Sequence, residues 1–249
     1  MNPKNQKIFI VGLFIFLTIL AFCIFLYYRL NIVSQDIQTT DNQDAQFAIE
    51  DKHITDEAKP LKSEVTYPSI KGSEEFNQAV KKIIDEEVGN FKKIALENDQ
   101  AVRETDPAGY AAYPRTYELD ISYEKATSDK NTISIVFQIY ADTGGAHPNG
   151  YFRALTFDLQ NNKNIILADI FKDQANYLKN ISDYSMQDLK KQVTDRMGST
   201  EGFWIEDGAG PMEDNFAVFL LKDSSVTFYF APYQVAPYSV GSFQVSMPR

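Results

Sequence analysis

The sequence predicts an α+β fold: an antiparallel sheet with two long helices, preceded by one transmembrane helix. Three observations predict it. Residues 8–28 are an uncharged run rich in Ile, Leu and Phe; two later stretches repeat apolar residues every three or four positions; other runs alternate apolar and polar residues between turns.

At 1.5 Å per residue, a helix over 8–28 spans roughly 30 Å, about one hydrocarbon core. Lys4 and Lys7 precede it and Arg29 alone follows, before acids begin at Asp36. The positive-inside bias therefore places residues 1–7 in the cytoplasm and the rest outside, with Tyr27 and Tyr28 at the outer interface. A cleaved signal peptide would need a small-x-small site, and none follows Tyr28; a lipoprotein signal would need small residues before Cys23, where Phe22 stands. Residues 29–62 are polar and acidic without hydrophobic period, which predicts a flexible tether ahead of an outer domain over 63–249.

Within that domain, Phe76, Val80, Ile83, Ile84, Val88, Phe91 and Ile94 predict an amphipathic helix over 73–96, with Ser73 as N-cap and Glu74 and Glu75 in its first turn. Tyr117, Leu119, Ile121 and Tyr123 then alternate with polar residues, as do Ile133, Ile135, Phe137 and Ile139 after the 128–131 turn, a hairpin with one face on a core. A third strand is expected over 151–159. A second helix over 169–193 carries Tyr177, Leu178, Ile181, Tyr184, Leu189 and Val193 on its apolar side. Strands over 216–221, 226–230 and 242–247 close the domain. Helices interrupting blocks of hairpin-linked strands mean α+β. The domain divides into an N-terminal part, 63–125, and a C-terminal part, 126–249.

Charge and composition exclude several functions. The whole chain is −10 and its first thirty residues carry +3, which leaves −13 on the remainder. Nucleic acid is excluded as a partner, since phosphates need a basic face; a cationic partner suits that surplus. The single cysteine lies in the apolar run, so the outer domain has no disulfide. With His53 and His147 the only histidines, a zinc site of the usual kind is not expected, and neither is a cofactor.

Five phrases, in order, carry a resemblance: Gly144-Gly145-Ala146-His147-Pro148; Phe157-Asp158-Leu159; Ile166-Leu167-Ala168-Asp169-Ile170-Phe171; Asn215-Phe216; and Phe230 to Tyr238 with Gly241. Together they resemble the extracytoplasmic domain of RsiV-like anti-sigma factors, whose paired domains of unknown function also precede some polysaccharide deacetylases. The resemblance spans 63–248. It implies an exported, wall-associated domain, in anti-sigma members a sensor of wall hydrolases such as lysozyme. With seven residues before the span and Arg249 after the last strand, neither a sigma-binding segment nor a deacetylase domain is expected, leaving the outward-facing module.

Five residues stand out as candidate binding positions: Asp142, His147, Trp204, Tyr233 and Tyr238. Asp142-Thr143-Gly144 has the form of an aspartic-protease triplet, but that chemistry needs two carboxylates sharing a proton. His147 is either a base or ligand contact near Asp142, or a turn histidine bonded to a backbone carbonyl. Trp204 lies in the acidic, Gly-rich 198–214 loop, where it could stack on a sugar, anchor a basic protein or fold onto the core; calcium is an option for the loop's carboxylates, though no spacing matches an EF-hand. Tyr233 and Tyr238 each follow a proline and line a groove or pack on the sheet. The leading expectation is a non-catalytic, membrane-anchored module binding a wall polymer or a cationic wall-active protein. The alternatives are a hydrolase using Asp142 and His147, and a structural subunit whose sheet edge pairs with a partner.

Overall fold

The alternating residues fold as the hairpin β3 (Tyr117–Thr127) and β4 (Thr132–Asp142), in register from Glu118 opposite Asp142 to Thr127 opposite Ile133. This is a computed structural model and describes residues 47–249. The predicted anchor and most of the tether lie outside the described residues; among those described, no helix is long and apolar enough to cross a membrane.

Two strands precede the hairpin, β1 (Ile49–Asp56) and β2 (Leu61–Ile70), paired antiparallel. They correct the expectation of a tether reaching residue 62. The alternation is concealed in β1, which shows charges to solvent, and in β2, whose buried positions include Ser63 between Leu61 and Val65. Helix α1 (Glu74–Thr105) crosses from β2 to β3, so these strands pair parallel, Leu61 opposite Tyr117 and Val65 opposite Ile121. The purely antiparallel expectation is corrected there, because a crossover helix returns the chain in the same direction. After the short α2 (Pro107–Ala112) and the hairpin come β5 (Asn149–Asp158) and β6 (Lys163–Asn164), completing a six-stranded sheet in sequence order.

Phe76, Val80, Ile84, Phe91 and Ala95 of α1 pack on the inward residues of this sheet, among them Ile121, Ile135, Phe137 and Phe157. The buried stripe also takes Glu87 and Asp99, and Ile94, expected on it, is 45% exposed. Glu87 is accommodated because Arg153 meets it at 2.6 Å and the Tyr151 hydroxyl at 2.5 Å. Ser73 precedes the helix without capping it; instead Asn77 grips both backbone groups of Ile70, at 2.8 and 2.9 Å.

The rest of the chain builds a second sheet. Short helix α3 (Leu167–Ile170) and long α4 (Tyr177–Met197) divide the single helix expected over 169–193, and α4 leaves Tyr184 exposed. Helix α5 (Ile205–Gly208) and a 3-10 turn (Glu213–Phe216) lead to β7 (Phe219–Leu221), β8 (Ser225–Phe230), a 3-10 turn (Tyr238–Val240) and β9 (Phe243–Pro248). Phe216 thus belongs to the turn rather than the expected strand. Phe219, Phe228, Phe230 and Phe243 face α4 with Ile181, Leu189 and Val193, while Leu220 and Tyr229 face Val136, Phe152 and Ala154 on the back of the large sheet. The layers therefore run α1, six strands, three strands, α4. Burying each of these phenylalanines contributes about 2–3 kcal/mol.

Candidate functional site

The second sheet covers only part of the first. Strand β4 is buried on both faces from Thr132 through Phe137, then exposes Gln138 and Tyr140 while Ile139 and Ala141 stay buried. Where the cover ends, Asp120, Ser122, Gln138 and Tyr140 floor a concavity of about 220 Å³, walled by Pro232 and Ser242 of the C-terminal layer. Partial burial and the nearby carboxylates of Asp142 and Glu118 push the Tyr140 hydroxyl above its ordinary pKa.

The β4–β5 loop rises beside this concavity on a fixed base. Asp142 accepts the Gly144 N–H at 2.9 Å, Arg115 donates to the Gly144 carbonyl at 3.0 Å, and Asn98 donates to the Thr143 carbonyl at 2.7 Å. Gly144 has φ +90°, and a Cβ there would lie 2.7 Å from the Tyr117 ring. From this base His147 reaches the C-terminal loop. Its Nδ1 lies 2.8 Å from the Pro148 carbonyl, an obligate acceptor, so Nδ1 carries the proton; in the neutral ring Nε2 then accepts from the Tyr233 hydroxyl at 3.2 Å. The His147 ring stacks on Tyr238 with centroids 3.9 Å apart, and the Tyr238 hydroxyl also donates to the Pro148 carbonyl.

Tyr233 is the unusual member. It is 55% exposed and sits at φ +71°, a left-handed conformation that a bulky residue adopts only under constraint. Its carbonyl accepts the Trp204 indole N–H at 2.8 Å, and its N–H reaches the Ala236 carbonyl at 3.1 Å. The next residue, Gln234, donates to the carbonyls of Gly208 and Asn215 and accepts from the Ala231 N–H. Gly208 must be glycine, since a Cβ would stand 1.8 Å from the Gln234 carbonyl oxygen.

His147, Trp204, Tyr233 and Tyr238, singled out in three separate stretches of sequence, thus form one connected group. Asp142 does not join it; its carboxylate accepts the Gly144 N–H and shapes the loop. Trp204 is half-buried and acts as a prop for Tyr233. The floor residues Asp120, Ser122, Gln138 and Tyr140 were missed; their only sequence signal was an aromatic, Tyr140, on the polar side of a strand.

Two family models match, in tandem. Residues 54–150 match the family described as "Deacetylase PdaC", and residues 168–249 match "Protein of unknown function (DUF3298)". These carry the part of the resemblance that concerns paired domains ahead of deacetylases. The chain is 27% identical over 83% of its length to the peptidoglycan-N-acetylmuramic acid deacetylase PdaC of Bacillus subtilis, of which the match spans 41%. It is also 27% identical over 53% of its length to an esterase of Mycobacterium tuberculosis, of which 57% is covered. The chain thus spans about half, or less, of the curated relatives it matches. A crystal structure of a DUF3298 family member from Bacteroides fragilis shares the fold, with a TM-score of 0.55 at 18% identity, covering 82% of this chain and 91% of that one.

Proposed function

We propose that this chain is a wall-binding module, held outside the cell by its N-terminal anchor, that grips a glycan strand of peptidoglycan in the cleft beside Tyr233. The observation that carries the reading is Tyr233 itself. A left-handed tyrosine costs on the order of 1–3 kcal/mol, and here Trp204, Ala236 and Gln234 hold it in place while half its ring faces solvent. Strain kept to display an aromatic face suits a ligand with apolar C–H faces and polar edges, which sugars have; Asp120, Gln138 and Tyr140 supply hydrogen-bonding groups for those edges. The relation to a peptidoglycan deacetylase over most of the chain points to the same polymer. A cationic wall protein such as lysozyme would answer the net charge but not the strained aromatic.

The test is a titration of the full-length chain in mild detergent with soluble peptidoglycan glycan fragments, followed by the fluorescence of Trp204, the only tryptophan. Saturable binding that Tyr233→Ala weakens at least tenfold supports the proposal; no response to fragments at low salt defeats it.

A second reading, a hydrolase, is favoured by one observation: the relatives include a deacetylase and an esterase. Against it, Asp142 and the His147 Nδ1 are both engaged by loop backbone. Turnover of an acetylated glycan or a nitrophenyl ester, abolished in His147→Ala with the fold intact, would establish it.

A further inference from the structure

The two sides of the large sheet are finished differently. On one side β1 presents Glu50, Asp51 and Lys52 to solvent, charges of the kind that keep a free edge from pairing. On the other, β6 pairs with β5 only at Phe157–Asn164 and Asp158–Lys163. The Ile165 N–H still reaches the Thr156 carbonyl at 2.8 Å, and then the chain turns away into α3. Since Thr156 faces that side, the twofold period of a strand directs the N–H and C=O groups of Ala154, Phe152 and Gly150 the same way, and among the described residues no strand pairs with them.

A groove of about 280 Å³ opens at the end of this free edge, between Ala154–Thr156 and the departing 165–168 segment, floored by Phe219. Ile166 on its wall is 56% exposed. Its rim carries Glu213, which accepts from the Tyr177 hydroxyl at 2.9 Å, and Asp214, whose carboxylate has no hydrogen bond or ion pair among the described residues. The described part of the chain is acidic as a whole. Lys4, Lys7 and Arg29 cancel Asp36, Asp41 and Asp44 in the first 46 residues, so the described part keeps the whole net charge of −10.

We infer that the β5 edge is a docking site for an extended segment of a partner protein, which adds as a strand along Gly150–Ala154, seats an apolar side chain in the groove beside Ile166 and brings a basic residue to Asp214. Free backbone donors and acceptors in a row call for another backbone, the groove selects an apolar side chain at its end, and the carboxylate selects the charge. Gly150 and Phe152 of this edge also line the concavity beside Tyr233, but the edge is read from its unpaired backbone groups and the 165–168 groove, and the inference does not depend on glycan binding.

The experiment uses the full-length chain in mild detergent and a labelled octapeptide of alternating valine and threonine with one lysine near its centre. Fluorescence anisotropy reads binding, and hydrogen exchange reads the amides of Gly150, Phe152 and Ala154. The expected result is saturable binding with slowed exchange at those three amides. Methylating alternate peptide nitrogens on the pairing side should weaken it about tenfold or more, because two or more hydrogen bonds are lost. Asp214→Asn should weaken it about two- to fivefold at low salt, as for an exposed charge pair. No binding, or equal binding of the methylated peptide, overturns the inference. So does dimerisation of the chain through this edge without peptide, which would make a second copy the occupant.

Discussion

The Trp204 indole N–H donates to the Tyr233 carbonyl at 2.8 Å, fastening the 198–214 loop to the one strained aromatic residue of the C-terminal layer. Trp204→Phe keeps an aromatic ring, though a smaller one, and removes the donor. It should lower thermal stability by about 1 kcal/mol, the usual net value of one hydrogen bond. Glycan affinity should fall several-fold, because Tyr233 is then freer to leave its displayed position. Calorimetric melts and a binding titration on the same sample measure both.

Tyr233→Gly separates display from folding. Glycine takes φ +71° without strain, so stability should hold or rise by up to about 1 kcal/mol despite the greater freedom of the unfolded chain. Glycan binding should drop at least tenfold. Urea unfolding alongside the titration tests the pair of outcomes; a large stability loss would mean the ring is a packing element.

Gly208→Ala probes the base of the same loop. The added Cβ has to displace the backbone carbonyl of Gln234, 1.8 Å away, so the loop cannot close as it stands. A loss of roughly 3 kcal/mol or more is expected, at the upper end for overpacking. Denaturant midpoints of the two proteins give the figure.

Alkaline pH should loosen the packing on both faces of the large sheet. Burial, with the 2.6 Å hydrogen bond to Glu124, raises the Tyr229 hydroxyl above the ordinary tyrosine pKa; burial and the acceptors Glu87 and Asp51 do the same for Tyr151 and Tyr123. The folded chain thus holds these protons more tightly than the unfolded one. Their contribution is complete below about pH 10, the unfolded value, and is lost as pH rises beyond it. Melts between pH 8 and 11 should show the fall, and Tyr229→Phe should flatten it while costing about 1 kcal/mol at pH 8.

Much of this architecture is legible from period alone. The β3–β4 hairpin, β5, β8, β9 and the start of α1 follow apolar residues at spacings of two or of three and four. What escaped is what buried polar residues conceal. Helix α1 runs on to Thr105 because Glu87 and Asp99 take core-facing positions with Arg153 and Arg103 as partners, a stripe that hydrophobicity passes over. Strand β2 hides behind Ser63, and β1 behind its charges. At the site, turn and aromatic composition pointed to His147, Trp204, Tyr233 and Tyr238, but only the stacking of one sheet on the other brings them together. Tyr140 and Asp120 escaped because the outward side of a strand reads as solvent until something rises beside it.

The claim that a strained tyrosine is kept for a sugar is tested most directly by isothermal calorimetry of peptidoglycan glycan fragments against the unsubstituted chain and Tyr233→Gly. The account predicts saturable heat with the first and at least a tenfold weaker interaction with the second, at matched stability. Equal affinity in both proteins would contradict it.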